Sequence, residues 1–273
     1  MRDLSWNRVF DKTTTVIFAL HWVNRRGQGG GSLFFMCRMI SVWIAFFIIE
    51  TAGYLNTVVA EEASRVFGYS GPIVSRRRGG ISWPSPWNCW AGITGDVSIR
   101  VEKDPGNPGE HVLHLRSVRG SFVLYQDLRS SPFPADVYPK LTWRWKAIRL
   151  PTGGSAHDES RNDQVLQVYL AFRRSDGYDI LGYVWDNPAR TGEKDLVHYS
   201  YRVLLFGRVE GYIHILRRGM TEDWVTETRN VVEDHKQYFR ASLPRVVAIG
   251  IWCDSNDTGS VSEGMIGPLV FSK

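Results

Sequence analysis

The chain has 273 residues, of which 43% are hydrophobic, 22% charged and 13% aromatic, a composition that excludes an intrinsically disordered protein. Three cysteines exclude a disulfide-dense scaffold and a zinc site made of four thiolates. The formal net charge is +5, but residues 1–60 carry six Lys/Arg against three Asp/Glu. The rest of the chain therefore carries nearly equal numbers of basic and acidic residues, and we expect no nucleic-acid partner.

The N-terminal part of the chain has the features of a secretory signal. Residues 39–49 are apolar, Arg38 precedes them, and small residues up to Ala60 come before an acidic stretch. The apolar run is shorter than the roughly 20 residues that a membrane-spanning helix needs. We predict that residues 1–60 are a leader and that the protein is exported to the periplasm or cell envelope; an uncleaved N-terminal membrane anchor is the alternative. Three methionines are candidate start positions: Met1, Met36 and Met39.

Residues 61–95 are rich in Gly, Pro and Ser, which predicts a linker region ahead of the folded domain. The basic run at 76–78 within it is either a solvated linker or a contact for an anionic group. Removal of the leader would leave two cysteines, Cys89 and Cys253. Either a disulfide in an oxidising compartment or two buried free thiols fits this pair.

From residue 96 onward, β-branched and aromatic residues recur in short runs separated by turn residues. The predicted strands are 97–101, 111–117, 121–128, 141–148, 165–172, 180–185, 200–205, 212–216, 246–252 and 265–271. Only 232–240 has helical spacing of its apolar residues. The pattern predicts an all-β fold, an antiparallel two-sheet sandwich of jelly-roll type with one short helix, as a single domain over residues 96–273.

Alternation within the runs predicts which faces are buried. In 141–147 the odd-numbered residues are apolar, whereas Thr142, Arg144 and Lys146 share the other face. The runs 165–172 and 246–252 are almost continuously apolar, which indicates central strands covered on both faces.

Several sequence blocks occur in an order that resembles a known family. They are 141–146, 150–154, 162–164, 182–187, 224–232 and 249–259. Over about residues 85–272 the chain is similar to the bacterial DUF3047 family, a domain of unknown function. The resemblance implies a β-rich, exported bacterial domain. It supplies no reaction, cofactor or catalytic residue to carry over.

Two groups of residues are candidates for ligand binding. Trp185, Asp186 and Asn187 end a predicted strand, where an aromatic ring beside carboxylate and amide groups could hold a sugar; the alternative is an ordinary strand end that leads into a turn. Arg144 and Lys146, together with Arg229, could bind an acidic group, because guanidinium pairs with carboxylate in a bidentate manner. A solvated sheet face is the alternative for this second group.

A loop at 254–259 is the candidate metal site, with Asp254 and Asp257 as oxygen ligands for calcium. The alternatives are a turn in which Asp and Asn side chains bond their own backbone, and direct contact of the loop with a ligand. Asp163 precedes a buried strand, which favours either a structural salt bridge with a cation such as Arg144 or Arg229, or a role in a binding site. No cofactor other than calcium is predicted.

No HExxH motif, nucleophile elbow or phosphate-binding loop occurs in the chain. The leading hypothesis is a non-catalytic envelope module that binds a glycan or another polar ligand. One alternative is a polysaccharide-active enzyme that uses Asp186, Glu227 or Asp254 as acid or base, which requires carboxylates paired in space. The other is a structural or assembly protein that contacts an envelope partner.

Overall fold

The computed structural model describes residues 64–70, 74–76, 83–91, 95–189, 192–203, 207–239 and 245–273. In chain order the strands are β1 (Ser64–Phe67), β2 (Val74–Arg76), β3 (Asn88–Ala91), β4 (Asp96–Lys103), β5 (His111–Val118), β6 (Ser121–Asp127), β7 (Phe133–Pro134), β8 (Lys140–Arg149), β9 (Leu166–Arg174), β10 (Gly177–Asp186), β11 (Leu196–Val203), β12 (Gly207–Arg218), β13 (Val225–Asn230), β14 (Arg245–Asp254), β15 (Val261–Ile266) and β16 (Leu269–Ser272). The helix α1 (Val231–Tyr238) lies between β13 and β14. Within the described residues no helix has the length and apolar character needed to cross a bilayer.

These strands form two eight-stranded sheets. The first has the order β1-β16-β8-β15-β5-β4-β2, with β13 also paired to β8. The second has the order β11-β12-β10-β9-β14-β6-β3, with β7 beside β14. The chain passes repeatedly between the sheets, so the predicted all-β, jelly-roll-like sandwich with one short helix is confirmed.

The core between the sheets is built from large aromatic side chains. Trp143 and Trp145 of β8 contact Tyr183 and Trp185 of β10, with ring centroids 5.5 and 5.6 Å apart. The predicted alternation along β8 is confirmed, because its odd-numbered residues from 141 to 147 are buried while the even-numbered side chains face outward. The central placement of β9 and β14 in the second sheet is likewise confirmed.

The predicted helix at 232–240 is observed at Val231–Tyr238. Asn230 begins it, because its side-chain oxygen accepts hydrogen bonds from the backbone N–H groups of Val232 and Glu233. Its buried face packs on the second sheet, where the His235 ring lies 4.8 Å from that of Phe172.

Three details of the strand prediction differ from the structure. The sheets are not wholly antiparallel: β11 is the outermost strand and β12 returns between β11 and β10, which makes β12 parallel to β10. The run predicted at 265–271 is two strands, because the chain breaks at Gly267, whose N–H donates to the Arg144 carbonyl. The short strands β1, β2, β3 and β7 and the polar strand β13 were not predicted.

Candidate functional site

A cavity of about 300 Å³ opens between the loop that follows β8 and the loop that follows β10. Backbone, carboxylate, amide and hydroxyl groups share its wall with a few apolar side chains. The lining residues are Leu150, Pro151, Thr152, Gly153, Gly154, Ser155, Asp186, Asn187, Pro188 and Glu193. This volume lies at the lower end of the range for small-molecule sites in proteins, about 300 to 1,000 Å³.

Asn187 holds the loop after β8 in place. Its Nδ2 donates to the carbonyls of Pro151 at 2.5 Å and Gly154 at 2.9 Å. Gly153 has a φ of +71°, in the left-handed region, and a Cβ on Gly154 would lie 2.3 Å from the Asp163 carbonyl oxygen. The two glycines therefore allow the loop to fold tightly against Asn187, so this amide is structural as well as cavity-lining.

Asp186 is the most buried ionisable group of the cavity, with 1% of its surface exposed. Its Oδ2 accepts a hydrogen bond from the Ala156 N–H at 3.0 Å. Its Oδ1 is buried and has no hydrogen-bond partner among the described residues. Burial raises the pKa of this carboxyl, and the charge of Glu193 raises it further, although backbone N–H groups and Arg218 act in the opposite direction.

Glu193 is the second carboxylate of the cavity, and its side chain is 15% exposed. Its Oε1 accepts from the Ser155 hydroxyl at 3.3 Å. Arg218 lies behind both carboxylates, with its Nη1 3.7 Å from Asp186 Oδ2 and 3.4 Å from Glu193 Oε2. The same guanidinium therefore lies near two carboxyl groups of the cavity, of which Asp186 is fully buried and Glu193 is partly exposed.

The structure corrects the sugar-stacking role predicted for Trp185. Side chains alternate along β10, so Asp186 is directed toward the cavity and Trp185 toward the core. The indole is 1% exposed and its Nε1 donates to the Gly219 carbonyl at 2.7 Å. Its ring therefore has no open face for a ligand.

The basic residues predicted to bind an acidic group do not gather at the cavity. Arg144 and Lys146 lie on the outer face of the first sheet, where Arg144 pairs with the buried Asp104 and lies 4.5 Å from the Trp224 ring. Arg229 is bound by Asp234, with nitrogen–oxygen distances of 2.9 and 2.5 Å. A joint site of the three is thus not formed.

The candidate calcium loop is tied to the adjacent strand by backbone hydrogen bonds. Oδ1 of Asp254 accepts from the Gln164 N–H at 2.8 Å and from Gln167 Nε2 at 3.1 Å. The N–H groups of Asp257 and Thr258 donate to Asp163. In the described part of the chain no three His, Cys, Asp or Glu residues form a group that could hold a metal ion; calcium binding by Asp254 and Asp257 stays a prediction, tested by a melt in calcium and in EDTA.

The expected pairing of Asp163 with Arg144 or Arg229 is wrong, since both arginines pair with other carboxylates and Asp163 caps the loop at Asp257. The other carboxylates considered as acids or bases, Glu227 and Asp254, lie outside the cavity. Glu227 accepts from Trp145 Nε1 at 3.2 Å and pairs with Arg217 at 2.6 Å.

Sequence reasoning found Asp186 and Asn187 but missed Ser155, Glu193 and Arg218. Glu193 and Ser155 lie in loops without a motif, and Arg218 ends β12. The Gly153-Gly154 pair was the one local signal, because a tight loop after a strand often brings backbone close to a ligand.

Both cysteines of the described region are free. Strand β6 lies between β3, which carries Cys89, and β14, which carries Cys253. Strands two positions apart are separated by about 9 to 10 Å, which exceeds the roughly 7 Å Cα separation that a disulfide tolerates. Of the two alternatives for this pair, the structure selects free thiols.

Comparison with solved structures finds 95 matching chains. The family 11 xylanase from Neocallimastix patriciarum aligns with a TM-score of 0.38 at 14% identity, over 68% of this chain and 91% of the xylanase. The family 11 carbohydrate-binding module from Clostridium thermocellum, in complex with a β-1,3-1,4-mixed-linked tetrasaccharide, gives 0.36 at 8% identity, over 69% and 89%. A metagenome-derived glycoside hydrolase family 12 endoglucanase gives 0.36 at 9%, over 69% and 98%.

Comparison with curated protein sequences finds no match. The match to a protein family covers residues 100–270, more than half of the chain, and that family is described as a protein of unknown function. It includes β5 to β15, the loop after β8 that Asn187 holds, and all of the cavity. The chain therefore belongs to the DUF3047 family.

Proposed function

We propose that this protein binds a saccharide in the cavity between the loops after β8 and β10. The observation that carries the proposal is the buried Oδ1 of Asp186, which has no hydrogen-bond partner among the described residues. An unsatisfied buried acceptor costs about 1 to 3 kcal/mol, so a ligand that donates a hydrogen bond there gains more than it would at an exposed group.

The rest of the wall supports a polyhydroxylated ligand. Ser155 and Glu193 provide further polar groups, and Asn187 fixes the backbone of the Gly153–Gly154 turn beside them. Sugar hydroxyls both donate and accept, which suits a wall of carboxylates and a hydroxyl. An anionic ligand is disfavoured, because both ionisable groups that line the cavity are carboxyls and neither is basic.

Thermal unfolding of the full chain in the presence of a saccharide panel tests binding. A ligand specific for the folded state stabilises it by about 2.7 kcal/mol at a hundredfold excess over Kd, which raises Tm by several degrees. We expect a neutral mono- or oligosaccharide to raise Tm, and Asp186→Leu, which removes the acceptor, to abolish the shift. Asp176→Asn, at an exposed ion-paired carboxylate outside the cavity, is the matched control and should preserve it.

Two results would contradict this function. One is a panel in which no saccharide raises Tm. The other is a shift of equal size in the wild type and in Asp186→Leu, since the ligand would then be bound elsewhere on the molecule.

We further propose that the protein acts in the cell envelope after export. Support comes from Arg38, the apolar run at 39–49 and the small residues before Ala60, which lie outside the described residues. N-terminal sequencing of the protein recovered from a periplasmic fraction tests this: a mature chain that starts near Glu61 is expected, and an intact N-terminus in the cytoplasmic fraction would contradict it.

A further inference from the structure

The two carboxylates of the cavity differ in surroundings although they share one arginine. Asp186 is 1% exposed and receives the Ala156 N–H, whereas the Glu193 side chain is 15% exposed and accepts from Ser155. Their nearest oxygens lie 3.7 and 3.4 Å from the same Arg218 Nη1. Those two oxygens are therefore at most about 7 Å apart, which does not exceed the separation of about 9.5 Å up to which carboxylate pairs act on one glycosidic bond.

Their environments also differ in burial and in distance to the guanidinium. Burial favours the neutral, proton-carrying form of Asp186. Glu193 is more exposed and lies closer to the guanidinium, with its Oε2 3.4 Å from Arg218 Nη1 against 3.7 Å for Asp186 Oδ2. A pair of acidic groups in such unlike settings is the usual basis for dividing acid and base roles in a site.

We propose that the cavity hydrolyses a glycosidic bond, with Asp186 as the proton donor and Glu193 as the proton acceptor. Asp186 transfers its proton to the leaving glycosidic oxygen as the bond from that oxygen to the anomeric carbon breaks. A solvent water forms the new bond to the anomeric carbon and releases its proton to Glu193. Proton exchange with solvent then restores both groups, and the net reaction consumes one water for each bond broken.

Arg218 has a positioning role in this scheme. Its Nη1 also lies 3.3 Å from the Asn187 carbonyl oxygen, and its Nη2 donates to the Lys194 carbonyl at 3.1 Å. These bonds fix the guanidinium between the β10 loop and both carboxylates. The substrate class is a short glycoside or a chain end, because about 300 Å³ is room for only one or two sugar rings.

This inference rests on the proposed saccharide site, and the experiment separates the two. The full chain is incubated with p-nitrophenyl and methyl glycosides of glucose, galactose, mannose, xylose and N-acetylglucosamine, while Tm shifts report binding of the same sugars. We expect at least one glycoside to be hydrolysed. Glu193→Gln should lower kcat by about 100-fold or more on both substrate types.

Asp186→Asn distinguishes a proton donor from a residue with only a structural role, because only the loss of a proton donor depends on the leaving group of the substrate. It keeps an oxygen acceptor, so KM should change by no more than a few fold, but its amide is not acidic enough to transfer a proton. Loss of kcat should be at least about 100-fold on the methyl glycoside, whose leaving oxygen needs protonation, and much smaller on the p-nitrophenyl glycoside. Asp176→Asn again serves as the matched control.

A wild-type protein that binds a saccharide but hydrolyses none of its glycosides would overturn the inference and leave the binding function intact. Hydrolysis that Asp186→Asn and Glu193→Gln both leave unchanged would overturn it as well. Absence of both binding and turnover would remove the proposed function and the inference together. If Asp186→Asn does not fold, Glu193→Gln alone decides the outcome.

Discussion

At the residue scale, Asp186 shows how the alternation of side chains along a strand places a cavity-lining group and a core group next to each other in the chain. It follows Trp185 in the chain, yet the two side chains point to opposite faces of β10. Trp185 fills the core beside Trp145, while Asp186 lines the cavity with one oxygen bound to Ala156. Of the three residues predicted as a site, Asp186 and Asn187 therefore line the cavity, whereas Trp185 does not.

The raised pKa of Asp186 makes stability depend on pH in a defined direction. Because the folded-state pKa lies above that of the unfolded chain, its contribution to stability is fully present below the unfolded value, near pH 4, and is lost as the pH rises through the folded-state pKa. Asp186→Asn stays neutral throughout. Urea unfolding from pH 4 to 8 should show the variant gaining stability relative to the wild type as the pH increases.

Asp158 provides a control of opposite sign for that experiment. Hydrogen bonds from Ser160 and then from Arg161 lower the pKa of this largely accessible carboxyl. Its contribution is thus present above the unfolded pKa and is lost as the pH falls through the lower folded-state pKa. With the urea series extended down to about pH 2, Asp158→Asn should lose stability relative to the wild type as the pH rises to about 5, and should show no further trend above that. A pH trend of the same sign in both variants would rule out local pKa shifts as the cause.

At the scale of elements, local signals identified the long strands and the helix but not the short strands. β5, β8, β9 and β14 combine β-branched or aromatic residues with clear periodicity, so they were recognised without tertiary information. In contrast, β7 has two residues and β2 has three. Such segments become strands because a neighbouring edge supplies hydrogen bonds, and that edge is absent from any local sequence window.

The helix α1 depends on its cap more than on its own composition. It has eight residues, a length at which an isolated helix is unstable in water. We expect Asn230→Ala to lower the free energy of unfolding by about 1 kcal/mol, since the first N–H groups of the helix lose their acceptor. Equilibrium urea unfolding measures this change.

Asn230→Asp is the matched control for the cap, because aspartate offers the same side-chain oxygen and should retain most of the stability. Equal stability of the wild type and Asn230→Ala would show that tertiary packing of Val231 and His235 alone holds the helix. The same result would remove the capping role assigned to Asn230.

At the scale of the whole molecule, the order of strands in the second sheet determines whether the two cysteines can form a disulfide. With β6 between their strands, Cys89 and Cys253 are too far apart to bond. Burial raises the pKa of Cys89 to about 12 and that of Cys253 above its usual range as well. Both are thus poor thiolates at neutral pH.

A Cys37→Ser variant isolates these two thiols for measurement. We expect no change in Tm when dithiothreitol is added, and slow reaction of the folded protein with a disulfide exchange reagent that becomes rapid, with two thiols released, in urea. Fewer than two reactive thiols after unfolding, or a fall in Tm on reduction, would indicate a disulfide and contradict the strand order.

The fold was more predictable than the site, for a physical reason. A two-sheet sandwich follows from repeated alternation and turn residues, which are local properties of the chain. The cavity follows from the approach of two loops, one near Gly153 and one near Glu193, that are about 40 residues apart in sequence. Asp186 was identifiable because it ends a strong strand, whereas Glu193 has no such marker.

By itself the sequence determined the fold class, the buried face of β8, the central strands β9 and β14, the helix and the family. Each of these depends on side-chain periodicity or on ordered sequence blocks. Only the tertiary structure decided that Trp185 is core, that Arg144 and Arg229 pair with separate carboxylates, that the cysteines are free, and that Asp186 and Glu193 share Arg218. Those outcomes depend on which strands become neighbours and which loops meet at their ends, and residues distant in sequence decide both.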